Sequence, residues 1–432
     1  MLSSKSKTKM KRYATYKDSG VKWIGEIPSH WEVKSLRNFI HIVSDKGHPK
    51  EQLLSVVRDS GVIIRDVDSM EDNHNFIPDD LQNYKLVKVG QFVINKMKSW
   101  QGSYAVSNLN GIVSPAYYTC DLNFEDKSFF NIAIRSRAYV PFFTQYSKGI
   151  RVGQWDLSPI GLKNIPFILP SVEEQHAIVS FLDTELGKIY TYMNKEQQLI
   201  DRLKELKQSV IARAVTRGIN QNVKMKPSGI SWIGEIPENW KVKSLRNFIN
   251  IMSDKGHPKE RLLSVVREQG VIIRNVESKE ENHNFVPDDL SGYKLVKKGQ
   301  FVINKMKAWQ GSYAVSNYRG IVSPAYYTCD LNIDNKEFFN EAIRSKAYVP
   351  FFTQYSKGIR VGQWDLSPIG LKEIPFLLPP QDEQQSIVDY ITTATTKIDK
   401  LIEEKTYEME NMKELRQSVI SDAVTGKIDV RS

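Results

Sequence analysis

A short stretch of the chain holds side chains whose types suit contact with a nucleic acid. Residues 94–107 read INKMKSWQGSYAVS, which sets lysines, a glutamine and aromatic rings on a strand that leads into a glycine-containing turn. Lysine can contact phosphates or guanine, and glutamine can hydrogen-bond adenine through two bonds. The same stretch returns at residues 303–316 with Ala308 in place of Ser99. The candidate DNA contacts in the two copies are Lys96, Lys98, Gln101, Ser103 and Tyr104, and Lys305, Lys307, Gln310, Ser312 and Tyr313.

Two further polar clusters, YSKGIRVGQWDLS and SDKGHPK, also occur in both copies. They add the candidate contacts Lys148, Arg151, Gln154, Lys46 and His48, with the equivalents Lys357, Arg360, Gln363, Lys255 and His257. Successive side chains of a strand point to opposite faces of a sheet, and one face is often the core. For Trp100, Tyr104 and Trp155, packing in the core is therefore the alternative to contact with bases.

No sequence pattern for catalysis accompanies these residues. The chain has no Gly-x-Gly-x-x-Gly, no Walker-type phosphate loop, no His-Glu-x-x-His and no Cys-x-x-Cys. A Mg²⁺-dependent nuclease would need a carboxylate two residues before its lysine, but Ile94 stands there before Lys96. The recurring histidines have no carboxylate nearby at metal-site spacing. The sequence therefore predicts no catalytic residue, no metal site and no cofactor in this chain.

Length and charge narrow the class of protein. A chain of 432 residues exceeds what one core usually organises, and its net charge of +10 suits a polyanionic partner. No apolar run approaches a membrane span, and the first residues lack the apolar segment of a secretory signal. We expect a cytoplasmic protein with a flexible basic tail at residues 1–15. Cys120 and Cys329 are expected to be buried and free.

The chain is one unit written twice. WIGEIPSHW begins at Trp23 and WIGEIPENW at Trp232, and subtracting 23 from 232 gives an offset of 209 that holds throughout the unit. Roughly four positions in five match between residues 21–170 and the second copy, but only about a third match over residues 171–215. Each unit therefore has a strongly repeated part and a divergent part.

The two parts differ in their predicted structure. Short β-type runs broken by glycine and proline predict mixed α/β globular domains at residues 16–170 and 218–379. The proline-free, Glu-, Lys- and Leu-rich segments predict a long helix at residues 171–217 and a second helix with a tail at residues 380–432.

Apolar residues spaced three and four apart predict that the helices pair as a coiled coil. We expect an antiparallel pair related by a pseudo-two-fold, with the domains at opposite ends as in a dumbbell, and with Glu196 near Lys405. The predicted seam comprises Ile178, Leu182, Ile189, Leu199, Leu203, Leu206, Ile387, Ile391, Ile398, Leu401, Met412 and Leu415.

Several quoted segments resemble a known family, the specificity subunits (HsdS) of type I restriction-modification systems. They are DSGVKWIGEIPSHW and PSGISWIGEIPENW, VINKMKSWQGSYAVSNLNGIVSPAYY and its copy, IPFILPSVEEQHAIVSFLD and IPFLLPPQDEQQSIVDYI, and LKELKQSVIARAV. The resemblance implies that each globular domain is a target recognition domain that reads one half of a bipartite site in double-stranded DNA. It implies that the helices space the domains and bind two methyltransferase subunits.

The resemblance also implies a non-catalytic chain. S-adenosylmethionine chemistry on adenine would lie in the methyltransferase subunits, and ATP and Mg²⁺ would serve a separate restriction subunit. The near identity of the two domains departs from the family pattern, in which they often differ, and predicts half-sites that are reverse complements or nearly so. The alternative function is a stand-alone DNA-binding protein built as a fused dimer, such as a repressor or an architectural factor.

Overall fold

The computed structural model describes residues 11–65, 77–149, 155–274, 286–358 and 364–431. They form two compact units, of which the first comprises Met1–Glu196 with Tyr407–Ser432 and the second Gln197–Thr406. Each unit holds one globular domain and a part of each of two long helices. This division differs from the sequence-based one because each domain shares a core with the helix segments beside it.

The first domain consists of short strands and helices. Its strands are β1 (Tyr16–Asp18), β2 (Glu26–Pro28), β3 (Glu32–Ser35), β4 (Ile40–Val43), β5 (Leu54–Val57), β6 (Gly61–Ile64), β7 (Lys85–Val87), β8 (Phe92–Asn95), β9 (Tyr104–Val106), β10 (Gly111–Val113), β11 (Tyr117–Leu122), β12 (Ser147–Lys148), β13 (Asp156–Leu157) and β14 (Pro166–Leu169). Its helices are α1 (Lys127–Arg135), α2 (Val140–Tyr146) and α3 (Pro159–Asn164), and the long helix α4 (Val172–Arg217) follows.

The second domain repeats these elements one for one. Its strands are β15 (Met225–Pro227), β16 (Glu235–Pro237), β17 (Lys241–Ser244), β18 (Ile249–Met252), β19 (Leu263–Val266), β20 (Gly270–Ile273), β21 (Lys294–Val296), β22 (Phe301–Asn304), β23 (Tyr313–Val315), β24 (Gly320–Val322), β25 (Tyr326–Leu331), β26 (Ser356–Lys357), β27 (Asp365–Leu366) and β28 (Pro375–Leu378). Its helices are α5 (Lys336–Arg344), α6 (Val349–Tyr355) and α7 (Pro368–Glu373), and the long helix α8 (Gln381–Val424) follows. The predicted mixed α/β class is confirmed.

A four-stranded antiparallel sheet lies at the centre of each domain. Its order in the first domain is β4-β11-β8-β9. The alternation of β8 sends Phe92 and Ile94 into the main core, whereas Val93 joins Ala105 in a second cluster on the other face. Burial of both faces explains why this strand is apolar at successive positions.

The long helices run antiparallel within each unit. In the first unit, Tyr190 bonds to Arg416 at 3.1 Å and Tyr192 bonds to Glu408 at 2.9 Å, so rising numbers on α4 meet falling numbers on α8. At about 1.5 Å per residue, the 46 residues of α4 span about 69 Å. The predicted antiparallel pairing holds in both units, and Lys207 of α4 meets Asp399 of α8 in the second.

The buried stripe of these helices departs from the predicted seam near their middles. Ile200 is 4% exposed, whereas the predicted Leu199 is 39% exposed. The stripe follows an eleven-residue spacing, from Ile189 to Ile200 to Ile211. This spacing corresponds to about 3.67 residues per turn, so it keeps these side chains on one face of a nearly straight helix better than strict heptads do.

The predicted seam residues are accordingly divided. Those that are buried are Ile178, Leu182, Ile189, Ile387, Ile391 and Ile398. Leu203 and Met412 are half-buried. Four predictions were wrong, because the stripe has moved by one residue and leaves these side chains exposed: Leu199, Leu206, Leu401 and Leu415.

The packed part of the first domain begins before residue 16, where the sequence predicted its start. Residues 1–10 lie outside the described part, but Tyr13 is buried against Trp31 and beneath Arg431. Residues 11–15 therefore belong to the first unit rather than to a flexible tail.

Cys120 and Cys329 are buried and free as predicted, and burial raises the pKa of each thiol to about 12. Among the described residues, no helix is both long and apolar enough to span a membrane.

Candidate nucleic-acid interface

One end of the central sheet carries the repeated lysine and glutamine side chains. β8 ends at Asn95, and residues 96–103 form the loop that leads to β9. The Asn95 side chain accepts a hydrogen bond of 3.2 Å from the backbone N–H of Lys98. Gly102 has a φ of 91°, a left-handed conformation that favours glycine. The Asn95 side chain and the turn at Gly102 thus help to fix the loop, while Lys98 and Gln101 remain exposed.

A pair of tryptophans fixes this loop against the next hairpin. The ring centres of Trp100 and Trp155 lie 5.3 Å apart, and those of Trp309 and Trp364 lie 5.2 Å apart. The Trp100 indole N–H donates to the Met97 carbonyl oxygen at 3.1 Å. The rings are half-buried, so their first role is to support the loop.

Three lysines from separate chain segments meet at this end of the sheet. Lys46 follows β4, Lys85 begins β7 and Lys96 follows β8. The Nζ atoms of Lys85 and Lys96 lie 5.8 and 5.6 Å from the ring centre of Tyr118. Lys85 also donates a 2.6 Å hydrogen bond to the Tyr117 carbonyl oxygen. We call Lys46, Lys85 and Lys96 the lysine cluster of the first domain.

The second domain has the same cluster, formed by Lys255, Lys294 and Lys305. Lys294 donates to the Tyr326 carbonyl oxygen at 2.6 Å, and its Nζ lies 5.8 Å from the Tyr327 ring centre. Burial lowers the pKa of the Lys294 ammonium, and the charges of Lys305 and Lys255 lower it further. Lys85 is affected in the same way by burial and by its two neighbours. Within the described part of the chain, no ion pair involves a lysine of either cluster.

Lys85 and Lys294 were missed by the sequence analysis. Each opens a strand in an identical YKLVK segment, which was interpreted only as a β-type run. The pairing of β7 with β10, which brings Lys85 beside the end of β8, joins segments that lie far apart in sequence. The available signal was the identity of this lysine in the two copies.

The predicted histidines lie at the edge of the same surface. His48 Nε2 is 2.8 Å from Asp45 Oδ1, and His257 Nε2 is 2.8 Å from Asp254 Oδ1. The bond with His48 is the main cause that lowers the pKa of the Asp45 carboxyl. Each histidine therefore braces the turn that carries Lys46 or Lys255, and whether it contacts DNA stays a prediction.

Four predicted contacts lie inside the protein. Tyr104 and Tyr313 are 0% exposed, and Tyr104 stacks on Phe143 at 3.7 Å between ring centres. Burial raises the pKa of the Tyr104 hydroxyl. Ser103 and Ser312 are buried as well. The two tyrosines belong to the cores of their domains, and the two serines have almost no exposed surface, so the prediction of DNA contact was wrong for all four.

The other predicted contacts are divided between surface positions and undescribed segments. Lys96 and Lys305 are half-buried, and the exposed side chains are Lys46, Lys98, Gln101, Lys255, Lys307, Gln310 and Lys357. Lys148 belongs to β12. Four predicted contacts lie outside the described residues: Arg151, Gln154, Arg360 and Gln363.

The differences between the domains leave the exposed side chains of the 96–103 loop unchanged. Ser99, which Ala308 replaces, is buried and bonds to Ser147 at 3.2 Å. Leu109 and Asn110, replaced by Tyr318 and Arg319, lie in the β9–β10 turn, which the antiparallel β8–β9 register places at the opposite end of β8 from Lys96.

The described residues contain no group of three or more His, Cys, Asp and Glu side chains that could hold a metal ion. The chemistry that the surface offers is ammonium groups, an amide and backbone donors. These groups suit contact with phosphates and base edges.

The similar proteins found by sequence comparison have the same kind of name. No protein-family model matches the chain. A putative type I restriction enzyme MjaX specificity subunit of Methanocaldococcus jannaschii is 23% identical over 433 residues, which cover 95% of this chain and 96% of that protein. The type I restriction enzyme StySPI specificity subunit of Salmonella potsdam is 24% identical, over 68% of this chain and 64% of that protein.

A solved structure agrees in fold. A chain from a structure of a type I restriction-modification system, determined to explain complex assembly and conformational transition, aligns with a TM-score of 0.63 at 14% identity. The alignment covers 93% of this chain and 99% of that one. The chain is thus similar over nearly its whole length to a specificity subunit of a type I restriction enzyme, and it shares the fold of the solved chain.

Proposed function

We propose that the chain recognises double-stranded DNA sequence-specifically as the specificity subunit of a type I restriction-modification enzyme. Each globular domain contacts one half of a bipartite site. The observation that carries this proposal is that the exposed loop side chains and the lysine cluster are identical at the same sheet end of both domains. They occur in a chain that matches a specificity subunit over 95% of its length. The net charge of +10 supports a polyanionic partner.

The two half-sites are expected to be reverse complements or nearly so. Identical reading surfaces related by a two-fold meet opposite strands of the duplex and so contact the same bases in inverted order. Among the exposed differences, Asn110 against Arg319 lies at the other end of the sheet, whereas Gln82 against Ser291 lies beside the turn that carries Lys46 or Lys255. Arg319 is also engaged by Glu260 at 2.8 Å. The identity of the exposed loop side chains and of the lysine clusters in the two domains supports equal readers.

The long helices are proposed to bind two methyltransferase subunits, one near each domain. Within these divergent helices, residues 204–211 and 413–420 differ at only one position. Leu206 and Leu415 are identical there although they are 50% and 44% exposed. The fold itself does not require a leucine at an exposed position. A partner protein that contacts both copies would explain why the same apolar side chain occurs in each.

The proposed partners supply the chemistry. A methyltransferase subunit would bind S-adenosylmethionine and methylate adenine, and a restriction subunit would use ATP and Mg²⁺. This chain would bind DNA and set the distance between the two domains. It would be located in the cytoplasm.

Co-expression with a methyltransferase subunit tests this assignment. We expect a stable complex that methylates adenine in duplex DNA, and loss of that complex in the Leu206→Arg/Leu415→Arg variant. Leu199→Arg/Leu401→Arg is the matched control, because these leucines are similarly exposed but are not repeated between the copies. Sequence-specific DNA binding by the chain alone, with no methyltransferase bound, would favour the stand-alone DNA-binding protein instead.

A further inference from the structure

We propose that each lysine cluster holds one phosphate group of the DNA backbone, with Lys85 or Lys294 as its innermost contact. The inference rests on the proposed function. It assigns a role to two lysines that neither the sequence motifs nor the relatives single out.

The geometry of the cluster leaves donors free for a phosphate. An ammonium group has three N–H donors. Lys85 uses one of them on the Tyr117 carbonyl oxygen, and Lys294 uses its donors on Tyr326 at 2.6 Å and Pro324 at 3.2 Å. Lys96 and Lys46 approach from two other segments of the first domain. A phosphate oxygen placed among these groups would receive charge-assisted hydrogen bonds from several directions.

The charge distribution points to the same ligand. Three positive groups share this end of each sheet, and among the described residues no ion pair neutralises them. Burial and like charges act together to lower the pKa of Lys85, so the free protein holds this ammonium at a cost. An anion bound in the cluster would offset that cost.

The identity of the two clusters argues for function rather than for packing alone. All three lysines recur, while nearby surface positions differ, for example Gln82 against Ser291 and Asn83 against Gly292. Because a phosphate carries no sequence information, the cluster would set the position of each domain on the duplex and leave base choice to residues such as Gln101.

Salt dependence of DNA binding tests the proposal. The chain is co-expressed with its methyltransferase subunit, and its affinity for a duplex that carries the methylated site is measured over a series of salt concentrations. For Lys85→Met/Lys294→Met we expect the slope of log K against log salt to fall by about 0.9 per lost phosphate, hence about 2 in total. Affinity near 0.1 M salt should fall roughly tenfold per contact, and the methylated sequence should stay the same.

Two controls separate this role from a structural one. Lys127→Met/Lys336→Met removes equivalent lysines beside Gly90 and Gly299, at the other end of the sheet, and should leave the slope unchanged. Lys85→Arg/Lys294→Arg keeps the charge and should restore most of the slope. If wild-type complex binds and methylates its site but the methionine variant keeps the full slope, the phosphate contact is refuted. If the wild-type complex shows no specific binding, the proposed function itself fails.

Discussion

The Lys207 ammonium lies 2.7 Å from both carboxylate oxygens of Asp399, which joins α4 to α8 in the second unit. Adding the offset of 209 to Lys207 gives Arg416, and subtracting it from Asp399 gives Tyr190. In the first unit these two residues make a hydrogen bond of 3.1 Å and a cation–π contact of 5.6 Å. The same pair of positions therefore joins the helices through different chemistry in the two units.

Removal of the Lys207–Asp399 pair should have a small, salt-dependent effect. Both side chains are partly exposed, so Lys207→Ala should lower the free energy of unfolding by less than about 1 kcal/mol. Denaturant unfolding at low and high salt checks this, since screening should reduce the difference. A larger loss that persists in high salt would contradict a surface ion pair.

The position of the buried stripe predicts unequal effects at two neighbouring residues. Ile200→Ala should lower the free energy of unfolding by about 2–3 kcal/mol, because it leaves a cavity between the helices. Leu199→Ala should cost less than about 1 kcal/mol, because its side chain already contacts water. Thermal or denaturant unfolding of the two variants decides between the stripe seen in the structure and a strict heptad seam, which would reverse the order.

DNA binding should weaken at alkaline pH through Lys85 and Lys294. Their pKa values are lowered in the free protein, and a bound phosphate favours the charged ammonium. Binding is therefore coupled to proton uptake, and affinity falls as the pH rises toward the lowered pKa. Lys85→Arg/Lys294→Arg should lose this dependence, because arginine stays protonated. Titration of affinity from about pH 7 upward compares the two, and parallel curves would contradict the linkage.

Gln101 should affect which sequence is read rather than how strongly DNA is held. Gln101→Ala alone should relax or change one half of the methylated site and leave the other half unchanged, since Gln310 still serves the second domain. A lost base contact costs about 1–3 kcal/mol of discrimination. Methylation mapping of the single and double variants provides the test. An unchanged motif in the Gln101→Ala/Gln310→Ala double variant would remove this residue from the base contacts.

Much of the fold followed from the sequence because the repeat fixed the boundaries and the composition separated domains from helices. The seam was misplaced because heptads and an eleven-residue spacing share their first positions and diverge only after several turns, as at Leu199 and Ile200. Burial of Tyr104 could not be decided from alternation alone, since the face that meets the core depends on which strands pair.

The candidate site was only partly visible for a related reason. The 96–103 loop is continuous in sequence, so its lysines and glutamine stood out together. Lys85 reaches the same place only through the pairing of β7 with β10 and the arrangement of β11 beside β8. A local pattern contains no information on that arrangement.

The most direct test of the account is to co-express the chain with its methyltransferase subunit and to map methylated adenines in duplex DNA by single-molecule sequencing. The account predicts one bipartite motif whose halves are reverse complements or nearly so, separated by bases that are not read. Two unrelated halves would contradict the equal-reader argument, and the lack of any bipartite methylated motif would contradict the assignment as a specificity subunit.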